Sequence, residues 1–168
     1  MNKSAFLQLS QKLSHDIEAI IREEITSAVD QPTDYYVNNK DRLEERGIEE
    51  PNKEMIWIAL VNLLIENDLA FEIDWKETGI YVCDVVEGLL DRKKLPIVDW
   101  EELEDESFNK MPSDQFLVEV AKKLRSANLA LAHMDIGSDS YVLIVVPTAD
   151  MSEIKRLAQQ AEVTIGEF

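Results

Sequence analysis

The sequence predicts an α+β fold, with a mostly antiparallel sheet of about four strands covered by about six helices. The first observation is a hairpin, in which residues 129–136 and 141–146 have strand patterns separated by a Gly-Ser-Asp-Ser turn. The second is that both alternating faces of residues 141–146 are apolar, so this strand requires cover on both sides. The third is helical spacing of apolar residues in most of the remaining chain, which supplies that cover.

The N-terminal third of the chain has helical patterns. Residues 4–28 carry one apolar stripe, typical of a long helix that packs on the sheet or, alternatively, mediates self-association. A shorter helix is predicted over residues 34–46, with Gly47 just beyond its end. Pro51 suits the first turn of a third helix, whose body is apolar on nearly every side and is therefore expected in the core.

The next segment predicts a strand and a helix. Residues 69–75 alternate, with an apolar face of Leu69, Phe71, Ile73 and Trp75, which indicates a half-exposed strand. Residues 76–93 have helical spacing with acidic residues on the outer side. A connection then runs from Pro96 to Pro112.

The C-terminal third completes the sheet. A helix is predicted from Ser113 or Asp114, followed by the hairpin strands over residues 129–136 and 140–147. Asp150 and Glu153 resemble a capping box that opens another helix. A last strand over residues 163–168 is expected to lie parallel to one arm of the hairpin, because a helical crossover joins them.

Length and composition limit the class of protein. The 168 residues suit a single α+β domain, with a helical part over residues 1–67 and a sheet-containing part over residues 68–168. The net charge of −17, from 34 acidic and 17 basic residues, opposes binding to nucleic acid and to anionic membranes. Cys83 is the single cysteine, so we expect a reducing, cytoplasmic location with no membrane segment.

The sequence contains no familiar catalytic pattern. A G-x-S-x-G turn, a glycine-rich phosphate loop and an H-E-x-x-H motif are all absent. His133, Asp135 and Ser138 are close in sequence, but two of them share a strand face and do not form an in-line triad. We therefore assign no catalytic residue, expect a non-enzymatic protein and predict no cofactor.

A cation site is an alternative hypothesis. Glu72 and Asp74 share one face of a predicted strand, and His133 and Asp135 share a face of another. Three carboxylates and an imidazole could bind a divalent metal ion if these strands were neighbours and the faces coincided. Polar residues on the solvent side of two strands explain the same pattern without a ligand.

Two acidic segments are candidate partner-binding surfaces. Near the hairpin turn, Asp135 and Asp139 suit local capping of backbone amides, or Asp139 and Tyr141 form an acidic tip that meets a basic partner. The other segment is either a solvated loop or a docking surface, anchored by Trp100, Leu103 and Phe108. Its six carboxylates are Asp99, Glu101, Glu102, Glu104, Asp105 and Glu106.

Two short strings carry a family resemblance. Glu72-Ile73-Asp74-Trp75-Lys76 fits an E-[IL]-D-W-K strand, and Asp135 to Tyr141 fits a D-x-x-S-D-S-Y hairpin, with Trp57-Ile58-Ala59-Leu60 upstream. From Trp57 to Phe168 the chain resembles an uncharacterised bacterial family of small acidic domains, classed as a domain of unknown function. The resemblance implies a bacterial cytosolic protein and carries over no activity.

These observations lead to two competing functional predictions. The favoured one is an acidic protein-interaction domain, by analogy an immunity-like or regulatory inhibitor of a basic protein, acting as a monomer or as a homodimer through the first helix. The alternative is a domain that binds a divalent metal or a small molecule through the strand carboxylates.

Overall fold

A four-stranded antiparallel sheet forms the centre of the fold. The computed structural model describes residues 2–77 and 79–168. The strands are β1 (Phe71–Asp74), β2 (Leu129–Met134), β3 (Ser140–Pro147) and β4 (Ile165–Glu167), in the order β1-β3-β2-β4. The predicted α+β class and the predicted hairpin are both confirmed, since β2 and β3 pair antiparallel along their length.

Both faces of β3 are covered, as its two apolar faces predicted. Val142, Ile144 and Val146 belong to one buried cluster. Leu143 and Val145 belong to a second cluster on the other face, against which Tyr141 packs. The sheet therefore separates two hydrophobic cores, and β3 lies between them as an interior strand.

The described residues contain nine α-helices and one short 3-10 helix, Glu101–Glu104. The α-helices are α1 (Lys3–Leu13), α2 (Glu18–Asp30), α3 (Pro32–Asn38), α4 (Lys40–Glu44), α5 (Lys53–Glu66), α6 (Gly79–Arg92), α7 (Glu106–Asn109), α8 (Ser113–Ser126) and α9 (Thr148–Ala161). Helices α1, α2, α5 and α9 supply the first core, and α6 and α8 supply the second. None of the helices in the described part of the chain combines the length and apolarity that a membrane crossing requires.

The expectation of a single helix over residues 4–28 is wrong. Helix α1 ends at Leu13, where the buried Ser14 donates a hydrogen bond from Oγ to the Gln11 carbonyl at 2.7 Å. His15 then has a positive φ of 50°, and α2 begins at Glu18. The apolar period continues through this break, so periodicity alone could not reveal it.

The predicted helix over residues 34–46 is also divided, into α3 and α4. The predicted role of Gly47 is confirmed, since its φ is +76° and its N–H donates to the Glu44 carbonyl at 2.9 Å. The Ile48 N–H reaches back to the Leu43 carbonyl, also at 2.9 Å. Together these bonds form a Schellman motif that ends the helical segment.

Two predicted helix starts differ from the structure. Helix α5 is capped by Asn52, whose Oδ1 accepts from the Met55 N–H at 2.8 Å, so Pro51 lies outside the helix. Helix α9 begins at Thr148, which places Asp150 within its first turn. The predicted capping box is therefore wrong, and Asp150 instead pairs with Lys12 Nζ at 2.8 Å.

The C-terminal strand runs parallel to one arm of the hairpin, β3, as predicted, but it pairs with the other arm. Strand β4 lies beside β2 and runs antiparallel to it, with Gly166 opposite His133. It therefore has the same direction as β3, from which it is separated by β2. The connection from β3 through α9 to β4 therefore skips the position in the sheet that β2 occupies. The sequence pattern does not indicate that β2 lies between them.

Candidate functional site

The four residues of the metal hypothesis do not converge. Strand β3 lies between β1 and β2, and side chains opposite one another in an antiparallel pair share a face. Glu72 lies opposite Val142, whereas His133 lies opposite Leu143, so their side chains project from opposite faces of the sheet. Among residues 2–77 and 79–168, no three His, Cys, Asp or Glu side chains are grouped in a way that could hold a metal ion.

The carboxylates of that hypothesis have local partners. Glu72 Oε2 accepts from Arg46 Nη1 at 2.5 Å. Asp74 Oδ1 accepts from the Lys76 N–H at 2.8 Å, and Asp135 Oδ1 accepts from the Gly137 N–H at 2.9 Å. The local-capping interpretation of Asp135 is confirmed, since this is an Asx turn in which Gly137 supplies a φ of +69°.

His133 lies in an aromatic cluster. Its ring centroid is 5.8 Å from that of Tyr141 and 4.9 Å from that of Phe168. Burial lowers the pKa of His133, and the nearby Asp135 carboxylate opposes this shift. The lowered pKa and the two ring contacts indicate a neutral imidazole that packs against Tyr141 and Phe168.

The acidic segment over residues 99–106 is only partly free to bind a partner. Trp100 and Leu103 are buried and Phe108 packs against the second core, so all three predicted anchors are confirmed. Asp99 and Asp105 each accept a bond from a backbone N–H two residues further on, at 3.0 and 2.9 Å.

Two further carboxylates of this segment face bases. Glu102 pairs with Lys123 at 2.5 Å, and Glu106 lies 3.9 Å from Lys110. Glu101 and Glu104 are exposed, and their side chains form no ion pair or hydrogen bond within the described part of the chain. The segment therefore offers two unpaired carboxylates instead of six.

Asp139 and Tyr141 line an open groove of about 890 Å³ at the turn end of the hairpin. Trp75 also lines it and is 51% exposed, because it lies beyond the end of β1 instead of on the predicted buried face. Lys76 Nζ is 4.9 Å from the centre of the Trp75 ring. The lining includes Lys76 and Lys110 together with Glu77, Asp114 and Asp139, so the hairpin tip has mixed charge.

A second groove lies between β1 and the outer side of α6, with a volume of about 530 Å³. We call it the α6 groove. Phe71 and Tyr81 are 36% and 39% exposed in it, and their rings meet edge to face with centroids 6.2 Å apart. The groove is lined by Asp68, Ala70, Phe71, Tyr81, Asp84, Val85, Gly88, Leu89, Asp91 and Arg92.

The rim of the α6 groove is acidic overall, with three aspartates and one arginine in its lining. Within the described part of the chain, the side chains of Asp68, Asp84 and Asp91 form no ion pair or hydrogen bond. Arg92 is the base in the lining; its Nη2 pairs with Asp16 at 2.8 Å and its Nε donates to the Asn67 carbonyl, while its charge also interacts with that of Asp68. The rim therefore keeps its negative charge.

The acidic surface continues from the α6 groove toward the 3-10 helix. Burial raises the pKa of the Cys83 thiol to about 12, with further contributions from Asp84, Glu104 and Glu87. The charges of these three carboxylates thus act on the same part of α6. The helical spacing of residues 76–93 predicted outward acids on α6 but not the groove, because the position of Phe71 beside Tyr81 depends on tertiary packing.

The fold and surface define a class: a small acidic α+β domain with a four-stranded antiparallel sheet between two helical layers. The sequence model of the family described as "Domain of unknown function (DUF6630)" matches residues 5–168, and the chain belongs to this family. The predicted family class is confirmed, and the match extends through the N-terminal helices, beyond the Trp57–Phe168 span assigned from the motifs. No curated protein and no solved structure shows significant similarity to the chain.

Proposed function

We propose that this chain is a non-enzymatic protein-interaction domain that binds a basic partner through the α6 groove. The observation that carries the proposal is the exposed Phe71–Tyr81 pair inside a rim of three unpaired aspartates. Exposed aromatic side chains bordered by polar residues are typical of protein-binding surfaces. The rim charge selects a partner whose apolar contact residues are flanked by Lys or Arg.

The rest of the acidic surface supports the same partner chemistry. Glu87, Glu101 and Glu104 extend the negative field beyond the groove, and the whole chain carries a net charge of −17. Such a field accelerates encounter with a basic protein, while the aromatic floor holds the docked segment. An immunity-like or regulatory inhibitor is the finer form of the proposal, in which occupation of the groove blocks the activity of the partner.

The test uses synthetic peptides, because they separate apolar contact from charge. One twelve-residue probe alternates Arg with Leu, and the second alternates Arg with Ser. At 150 mM salt, we expect the Arg–Leu probe to bind about tenfold more tightly, since a few buried apolar side chains account for a difference of that size. Equal affinity for both probes would mean that charge alone is being measured.

Matched variants locate the binding site. Asp84→Asn with Asp91→Asn removes two charges from the rim, and Glu23→Gln with Glu50→Gln removes two exposed charges elsewhere. We expect the first pair to weaken binding of the Arg–Leu probe about tenfold, and the second pair to weaken it less than twofold. Equal losses in the two pairs would contradict the α6 groove as the site.

A third variant blocks the groove without removing charge. A Cβ at Gly88 would have no neighbour within 4 Å, so Gly88→Phe adds a ring to the groove without a clash at Cβ. We expect this variant to lose the Arg–Leu probe and to keep its far-ultraviolet circular dichroism spectrum. Gly88→Ala is the size control, and it should bind the probe as the wild type does.

A further inference from the structure

A lysine just beyond the C-terminal end of α6 has an unusual environment. Lys93 follows the last residue of α6, and its Nζ donates to the Val145 carbonyl at 2.8 Å. No carboxylate pairs with it in the described part of the chain, although acidic residues outnumber bases two to one. Lys93 thus has a backbone carbonyl as its hydrogen-bond partner and, among the described residues, no carboxylate, although the chain is rich in carboxylates.

The Lys93 side chain lines a pocket of about 180 Å³. The pocket lies where the C-terminal end of α1, the end of β3 and the first turns of α9 meet. Lys12, His15, Leu95, Val145, Pro147 and Asp150 also line it. We call it the Lys93 pocket. Its volume suits a molecule of a few heavy atoms and is too small for a peptide side chain with its backbone.

The charged groups around the pocket are mostly engaged with one another. Lys12 Nζ contacts Asp150 at 2.8 Å and Glu153 at 3.2 Å, and Arg92 is held by Asp16. An ammonium group has three N–H donors, so Lys12 retains one for a further acceptor. His15 is exposed and supplies a second donor beside the pocket.

The state of the Lys93 amine follows from this setting. Burial, with a smaller contribution from Arg92, lowers the pKa of Lys93 to about 8. At pH 7.5 roughly a quarter of this amine is then neutral, against roughly 0.1% of an ordinary lysine. The neutral amine donates one N–H to the Val145 carbonyl and keeps its lone pair for reaction.

We propose that Lys93 is a carbamylation site that reacts reversibly with carbon dioxide. The nitrogen lone pair forms a bond to the carbon of CO₂, one C=O electron pair moves onto oxygen, and the nitrogen releases one proton to solvent. The product is a carbamate anion, which Lys12 and His15 can hydrogen-bond in the Lys93 pocket. The reaction needs no oxidant and no second substrate, and it is independent of the α6 groove.

Small aldehydes would also attack a neutral amine, but the geometry favours carbon dioxide. An imine carries no acceptor oxygen for the Lys12 and His15 donors, and it adds a carbon substituent to a pocket of about 180 Å³. The carbamate presents two oxygens that can accept from those donors. The experiment below therefore also tests whether Lys93 forms aldehyde adducts.

The test is site-resolved trapping on the wild-type protein. The protein is equilibrated with ¹³C-bicarbonate and CO₂ at pH 7.5, the carbamates are methylated with a trialkyloxonium salt, and peptides are analysed by mass spectrometry. We expect at least tenfold more label on Lys93 than on its exposed neighbour Lys94. Absence of label on Lys93, or equal label on both residues, would overturn the proposal.

Two controls connect the label to the folded pocket. In 8 M urea the preference for Lys93 should disappear, because both lysines then have ordinary pKa values. The α-amino group of the chain also forms a carbamate, so the diagnostic signal is a second ¹³C carbamate resonance, which Lys93→Arg should abolish and Lys94→Arg should leave unchanged. A parallel incubation with a small aldehyde and borohydride reports imine formation, and preferential labelling of Lys93 there without CO₂ labelling would contradict the choice of electrophile.

Discussion

The Cα of Gly166 on β4 lies against the imidazole of His133 on β2, so close that a Cβ at Gly166 would be 2.2 Å from His133 Cε1. The two residues are opposite each other in the sheet register. The His133 ring is held on its other sides by Tyr141 and Phe168. A glycine is therefore required at this point of β4 for the ring to occupy its place.

Gly166→Ala should destabilise the protein by about 2 kcal/mol, since added volume in a packed site forces its neighbours to move. His133→Ala removes the clashing ring, so in that background Gly166→Ala should cost less than about 0.5 kcal/mol. Urea unfolding of the four proteins gives the coupling energy. Additive losses would show that the ring does not set the requirement for glycine.

Trp57 connects the buried helix α5 to the hairpin turn, because its Nε1 donates to the Asp135 carbonyl at 2.6 Å. Trp57→Phe removes this donor and should lower the free energy of unfolding by about 1–2 kcal/mol. Amide exchange at Gly137 should accelerate, since the carbonyl beside the Asx turn is released. Trp75→Phe is the control: Trp75 is half exposed, and its change should stay within about 0.5 kcal/mol.

Asn62 lies in the first core at 4% exposure, and its Nδ2 has no hydrogen-bond partner among the described residues. Asn62 is the polar residue within the otherwise apolar body of α5, and no described residue provides the acceptor that its Nδ2 needs. Asn62→Leu should raise the free energy of unfolding by about 1 kcal/mol, since an unpaired amide is replaced by an apolar side chain of similar size. The exposed Asn38 gives a matched control, and Asn38→Leu should produce no such gain.

The central strand and its cover could be predicted because the information is local. Six consecutive apolar residues bounded by a glycine turn define β3, and residues at helical spacing define α6 and α8. The break at Ser14 could not be predicted, since the apolar stripe runs through it without a Pro or Gly. A side-chain hydrogen bond decides that break, and such bonds leave no period in a sequence.

The candidate site was harder to predict because it depends on strand order. The metal hypothesis required β1 beside β2, but β1 pairs with β3. In this register Glu72 and His133 lie opposite successive residues of β3, so their side chains project from opposite faces of the sheet. The α6 groove depends on Phe71 and Tyr81, ten residues apart, meeting across the edge of the sheet. Neither relation follows from alternation or helical spacing, which describe one element at a time.

Lys93 should make stability depend on pH in a direction opposite to that of a salt-bridged lysine. Its pKa is about 8 in the folded protein and about 10.4 in the unfolded chain. Between these values the unfolded state binds more protons, so the free energy of unfolding gains a positive contribution as pH rises from about 8 to about 10. Well below pH 8 Lys93 is protonated in both states, so the full energetic cost of burying its ammonium group lowers the free energy of unfolding.

Lys93→Met removes this titration while keeping an unbranched side chain. The wild type should therefore gain stability relative to Lys93→Met as the pH rises from about 8 to about 10, in urea titrations at constant ionic strength. Loss of the hydrogen bond to the Val145 carbonyl shifts the variant by an amount that does not change with pH, so the slope is the diagnostic quantity. Lys94→Met should follow the wild-type slope, and parallel curves for wild type and Lys93→Met would show that the Lys93 amine has an ordinary pKa in the folded protein.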